Sequence, residues 1–146
     1  MANSLYNIGR EGFLTEITVG AFTGKIDWTN DNIRVALLDD TYVFDAAHTD
    51  YSDIADAVVA DEPLSNLTTN GAGTAMADNV TFSSVTGNEV VSLVIYRSDG
   101  AAVPDTAANC PLIAFIDSVT AGLPVTPNGG DITILWNGGT GEIFVL

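Results

Sequence analysis

The nonapeptide from Glu89 to Arg97, EVVSLVIYR, limits the fold more than any other stretch of the chain. In an extended conformation Val91, Leu93 and Ile95 fall on one side, and Val94 and Tyr96 on the other. A strand that is apolar on both faces has to be covered on both. It therefore belongs in the middle of a sheet with material above and below it. Further extended runs surround it. Ile33 to Leu38 places Ile33, Val35 and Leu37 on a common face, and Asn79 to Val85 sets Val80 and Phe82 opposite Thr81. Leu112 to Ile116, Ile132 to Trp136 and Ile143 to Leu146 are three more. Gly, Pro and Asn separate these runs at intervals of roughly 10–20 residues, and no strand–helix alternation is present. The expectation is a mainly β chain: an antiparallel β-sandwich or barrel-like domain. Asn137 to Gly141 between the last two runs is rich in glycine and predicts a hairpin. The final run is expected to be paired inside the sheet, tying down the C-terminus.

The first residues follow a different period. Ser4 is a candidate N-cap, and Leu5, Tyr6, Ile8 and Phe13 outline one short amphipathic helix. Gly9 and Gly12 weaken it by roughly 1 kcal/mol each relative to Ala, so docking has to hold it. Gly20 and Gly24 punctuate a connector leading to Lys25-Ile26-Asp27-Trp28. The domain reading is thus one unit, 1–146, with 1–24 as N-terminal helix and connector. At 146 residues the chain is too short for two ordinary domains, and a fold would bury roughly 68% of its extended surface.

Charge narrows the function classes. Four Lys and Arg against nineteen Asp and Glu give −15, which argues against a nucleic-acid backbone or an anionic membrane as partner. With 47% hydrophobic and 16% charged residues this is not the composition of a disordered chain. Met1 to Phe13 lacks the basic and continuous apolar regions of a secretory signal, and no run approaches the ~18 apolar residues of a membrane span. A lone Cys110 can make neither an intrachain disulfide nor a thiolate metal site. It reads as a small, half-buried thiol, with an interchain disulfide or a reactive thiol as the alternative. Synthesis inside a cell, without oxidative folding, is the expected setting.

The candidate sites each have a plain structural reading. Asp39, Asp40, Asp45, Asp50, Asp53, Asp56, Asp61 and Glu62 are eight of the nineteen acids. Their spacing does not match an EF-hand loop. They read as a solvated acidic rim over inward-packing Tyr42, Phe44, Tyr51 and Ile54, with a weak Ca²⁺ site as the alternative. His48 is the only histidine, so histidine-based hydrolysis would have to run through it, with Thr49, Asp50, Ser52 and Asp53 nearby. No nucleophile elbow accompanies it, and an exposed loop histidine is the expectation. Gly71-Ala72-Gly73 and Gly129-Gly130 lack the Lys-Ser/Thr pair of a phosphate cradle and read as loops. Trp136 alternates with Ile132 and Ile134 and reads as core or interface. Trp28 reads as an exposed edge, leaving open a carbohydrate platform. No catalytic, cofactor-binding or metal-binding residue is assigned.

Several blocks together carry a resemblance. They are Met1 to Tyr6 with Gly9-Arg10-Glu11-Gly12-Phe13-Leu14, Ile26-Asp27-Trp28 with Asp31 to Leu37, Leu93 to Tyr96, Pro111 to Asp117, and Gly122 to Ile132. Taken in order they resemble a family of small virion structural proteins of tailed bacteriophages. The connector Glu16 to Gly24 is longer than that family's usual passage from helix to Asp-Trp. The resemblance implies a non-enzymatic virion protein, either a capsid-decorating (cement) protein or a tail component. It would be made in the host cytoplasm and sit on the outer surface of the particle. Its implied partners are copies of itself and the major capsid protein or tail proteins, as a homo-oligomer, with a trimer or hexamer expected. The helix, the Trp28 edge and the C-terminal strand are the expected contact segments. A β-sandwich module binding carbohydrate or a host surface is the competing class.

Overall fold

The computed structural model describes residues 3–100 and 106–146. Met1 and Ala2, within the predicted N-terminal segment, lie outside the described residues, as do residues 101–105 within the predicted domain. The chain opens with β1 (Ser4–Leu5), α1 (Asn7–Leu14), β2 (Ile17–Val19) and β3 (Phe22–Gly24). β4 (Ile33–Leu38) and β5 (Val58–Pro63) follow, then β6 (Thr68–Thr69), β7 (Thr74–Met76) and β8 (Val80–Phe82). The last strands are β9 (Ser92–Arg97), β10 (Leu112–Ile116), β11 (Ile132–Ile134) and β12 (Glu142–Val145).

Five strands form the main antiparallel sheet in the order β1-β10-β9-β4-β5. β9 is its middle strand, as its two-faced pattern demands. Leu93 and Ile95 enter one hydrophobic cluster, Val94 and Tyr96 enter another, and all four are fully buried. β4 behaves in the same way. Ile33, Val35 and Leu37 share the first cluster, and Ala36 and Leu38 join the second. The first cluster lies between this sheet and a layer of smaller sheets, β11-β8, β12-β7-β6 and β2-β3. The second is covered by the segment 39–57, with its two 3₁₀ turns, Tyr51–Asp53 and Ala55–Ala57, and by Tyr6. The packing is that of a mainly β sandwich with one short N-terminal α-helix. No closed barrel forms among the described residues.

Four local expectations need correction. Ser4 does not cap the helix. Ser4 and Leu5 pair with Phe115 and Ala114, Tyr6 N–H donates to the Ile113 carbonyl, and the helix starts at Asn7 without a side-chain cap. Backbone pairing to a sheet edge outcompetes the cap, which satisfies one N–H only. The connector before Lys25 is itself the hairpin β2–β3, turning at Gly20 with φ +57°. The last two strands do not form a hairpin with each other: β11 pairs with β8 and β12 with β7. Gly138 and Gly139 do take positive φ, but Asn137–Gly139 is a 3₁₀ turn that carries the chain from one small sheet to the next. Burial of Trp136, whose Nε1–H donates to the Asp78 carbonyl, anchors one side of that passage. Ala77 N–H, donating to the Gly141 carbonyl, anchors the other. The C-terminal run is paired, but with β7 on one side only, as the edge strand of the sheet β12-β7-β6 rather than inside a sheet. Leu146 N–H donates to the Gly73 carbonyl at 3.0 Å.

Candidate contact surface and the placement of the predicted site residues

The acidic segment is only partly a rim. Val58 to Pro63 is the edge strand β5, and it brings Asp61 across from Ala36, two pairs along from Arg34 and on the same face. Arg34 Nε donates to Asp61 Oδ1 at 2.6 Å, and Tyr96 Oη donates to Asp61 Oδ2 at 2.6 Å. The pair is buried, with side chains 6% and 5% exposed. Burial pushes the Asp61 carboxyl up, while the Tyr96 hydroxyl and Arg34 pull it back. Asp39 is also buried. It accepts from the Thr41 hydroxyl and amide and from Asn88 Nδ2 at 2.8 Å, bonds that hold its carboxyl below the usual range.

Three of the six remaining acids serve the backbone. Asp45 accepts from Ala47 N–H at 2.8 Å, Asp50 from Ser52 N–H at 3.1 Å, and Asp53 from Thr49 N–H at 2.8 Å. Among the described residues no group of three or more His, Cys, Asp or Glu is placed to hold a metal ion. Tyr42, Phe44, Tyr51 and Ile54 pack inward as expected, with Phe44 against the rings of Tyr6 and Phe115.

His48 is half-buried rather than an exposed loop residue, because it ends a hydrogen-bonded chain that reaches the core. Tyr6 Oη lies 2.8 Å from Tyr42 Oη, which lies 2.8 Å from His48 Nδ1. Burial pushes the Tyr6 hydroxyl above the ordinary tyrosine range. The nearby hydroxyls are committed elsewhere. Thr49 Oγ1 donates to Asp50 at 2.9 Å and Ser52 Oγ donates to the same carboxylate, so neither is placed on the imidazole.

Cys110 is fully buried rather than half-buried. Desolvation pushes its thiol up to about 12, and its Sγ lies 3.3 Å from Asp99 Oδ1. At neutral pH it is a protonated core thiol, out of reach of another chain's cysteine.

Both tryptophans are buried, so the expected exposed edge at Trp28 is corrected. Its Nε1–H is shared between the Thr68 and Met76 carbonyls at 3.0 and 3.1 Å, and its ring meets Phe144 edge-on at 5.2 Å. A Trp takes this position because its ring fills the core while its one donor satisfies two strand-end carbonyls. The glycine pairs are loops, as expected. Ala72 N–H and Gly130 N–H are taken by Asn70 and Asn128 side chains instead of facing a ligand.

What sequence periodicity did not reveal is a groove on the open side of the sandwich. It runs between β12 and the β1–β10 edge, with a volume of about 330 Å³ beside Asn3, Leu5, Arg10, Ile116, Ile143 and Val145. A second hollow of about 280 Å³ continues it past Val119 and Asn137. Phe13 of α1 meets Phe144 of β12 at 6.1 Å, so the helix and the C-terminal strand, two of the three expected contact segments, are neighbours. Val145 and Leu146 are 60% and 57% exposed, and Leu14 at the helix end 71%.

The cations are distributed unevenly. Arg34 is held by Asp61, and Arg97 sits 3.2 Å from Asp31 with its guanidinium 4.0 Å from the Phe22 ring centre. Arg10 and Lys25 remain exposed on an otherwise acidic surface. No protein-family model matches this chain, and no curated protein does. Among the described residues no helix is long and apolar enough to cross a membrane. The groove, whose one charged lining residue is Arg10, and the chain's excess of acid are therefore the features on which a functional reading rests.

Proposed function

We propose that this chain is a non-enzymatic structural protein of a tailed-bacteriophage virion, decorating the outside of the capsid and stabilising it through intersubunit contacts. The resemblance of its sequence blocks motivates the reading. The observation that carries it is the pairing of a net charge of −15 with exposed apolar residues at the ends of two segments, Val145 and Leu146 at the end of β12 and Leu14 at the end of α1. Like charge keeps free copies apart in solution, and the apolar segments supply the contact once a shell offers sites. A surface this acidic suits the outside of a particle, since on the inner wall it would repel packaged DNA.

The engagement of His48 by Tyr42, and of Thr49 and Ser52 by Asp50, disfavours a hydrolase. Burial of both tryptophans disfavours an aromatic sugar platform. A tail location rests on the same contact argument.

The test is binding of the purified protein to emptied heads of the parent particle, read by co-sedimentation and by the melting temperature of the shell. Saturable binding that raises the shell's melting temperature is expected. Capture by tails alone moves the assignment to the tail, and capture by neither overturns it.

A further inference from the structure

The sequence holds three Asn-Gly pairs, Asn70-Gly71, Asn128-Gly129 and Asn137-Gly138. An Asn followed by Gly can react with its own backbone, because the next peptide nitrogen, with no Cβ beside it, reaches the side-chain carbonyl carbon unhindered. All three asparagines are exposed, and no atom lies within 4 Å of a Cβ built on any of the three glycines, so access does not rank them. The state of the attacking nitrogen does. Gly129 N–H donates to the Val85 carbonyl at 2.8 Å, and Gly138 N–H donates to Thr120 Oγ1 at 2.6 Å. Gly71 N–H makes no hydrogen bond among the described residues. The electrophile differs too. Asn70 Oδ1 accepts from Ala72 N–H at 2.8 Å and from Thr74 N–H at 3.3 Å, closing a turn across the Gly71 peptide. Two donors on that oxygen draw electron density from Cγ and meet the negative charge that forms there as a nucleophile adds. Asn128 Oδ1 has one such donor among the described residues, Gly130 N–H, and Asn137 has its Nδ2 tied to Glu142.

We propose that Asn70-Gly71 is a self-modification site, converting to aspartyl and isoaspartyl forms through a succinimide. The Gly71 nitrogen gives its proton to a solvent base and bonds to Asn70 Cγ. The Cγ–Nδ2 bond breaks, and the departing amine takes a proton from water and leaves as ammonia. Water then opens the ring. Cleavage between Cγ and the Gly71 nitrogen gives aspartate, and cleavage at the original backbone carbonyl gives isoaspartate, with the chain running through Cβ. Either product adds a carboxylate to a chain already at −15. The isoaspartyl form also lengthens the backbone in the β6–β7 turn, whose strands supply the Thr68 and Met76 carbonyls that share the Trp28 donor. This chemistry needs no partner and stands apart from the virion reading.

Peptide mapping by mass spectrometry of protein aged in mildly alkaline buffer, folded and in guanidinium chloride, tests the site, with isoaspartate read by enzymatic methyl transfer. In the folded protein the hydrogen bond on Gly129 or Gly138 has to open before its nitrogen attacks. Asn70 is therefore expected to convert about fivefold faster than either of the others, the net worth of one such bond. In guanidinium chloride the three rates converge. Thr120→Val removes the acceptor of the Gly138 N–H and raises conversion at Asn137 about fivefold. Thr120 is exposed, and circular dichroism checks that the variant folds, while the folded-against-unfolded comparison of wild type needs no variant. Gly71→Ala slows conversion at Asn70 roughly tenfold by placing a Cβ beside the nitrogen. Faster conversion at Asn128 or Asn137 than at Asn70 in the folded protein overturns the proposal, as does a ranking that persists unchanged on unfolding. A folded Thr120→Val that converts no faster at Asn137 overturns it as well.

Discussion

Gly9 shows how a single residue can carry opposite meanings in the sequence and in the fold. Along the helix it is a poor helix former. In three dimensions it is the point where α1 meets β10 backbone to backbone. A Cβ there would lie 2.7 Å from both Ile113 Cα and the Ile113 carbonyl oxygen, atoms that cannot swing aside. Gly9→Ala should therefore cost about 3 kcal/mol despite the better helix propensity of alanine, read as a lower urea midpoint. Gly71→Ala is the control. Nothing lies within 4 Å of its added Cβ, and only the positive φ of +79° opposes it, a cost of about 1 kcal/mol. Asp61 was hidden for a related reason. Counted along the chain it is one acid among eight, and its burial follows from the β4–β5 register that sets it beside Arg34.

Elements separate into those that carry their own signal and those defined by a partner. β9, β4 and β10 are apolar on both faces and were legible from periodicity alone. β6 and β7 are two and three residues long, too short for a repeat to be visible, and exist because β12 and the Trp28 indole bring them together. The indole's role there is separable by substitution. Trp28→Phe keeps most of the buried ring and leaves the Thr68 and Met76 carbonyls without their donor, for a loss of about 1–2 kcal/mol. Trp28→Ala also opens a cavity beneath Phe144 and should lose about 3–5 kcal/mol. Chemical denaturation of the two variants side by side checks the split. Equal losses would mean that the shared hydrogen bond, not the ring, holds the corner.

For the whole molecule the governing quantity is the excess of acid. The carboxyl of Asp39 is held below its ordinary value, first by the Thr41 hydroxyl and then by Asn88. Its folded state thus binds a proton less readily than its unfolded state. The stability this contributes is fully present above the unfolded value of about 3.9 and is lost as pH falls through the lower, folded value. Asp39→Asn should melt below wild type at neutral pH, and the two curves should converge toward pH 3. Thermal melts across that range would contradict the assignment if the gap persisted in acid.

From the order of its residues alone this chain was bound to be a mainly β, strongly acidic fold with a two-faced central strand and a short helix at its start. Alternation of apolar residues and net charge are local or additive properties, and they survive being read in one dimension. Tertiary structure decided which short segments became strands, that Trp28, Asp39, Asp61 and Cys110 are interior, and that His48 is bonded to Tyr42. It also decided that the outer edge of β12 stayed open beside a groove. Each of those outcomes depends on a contact between residues far apart along the chain, and no local pattern records such a contact.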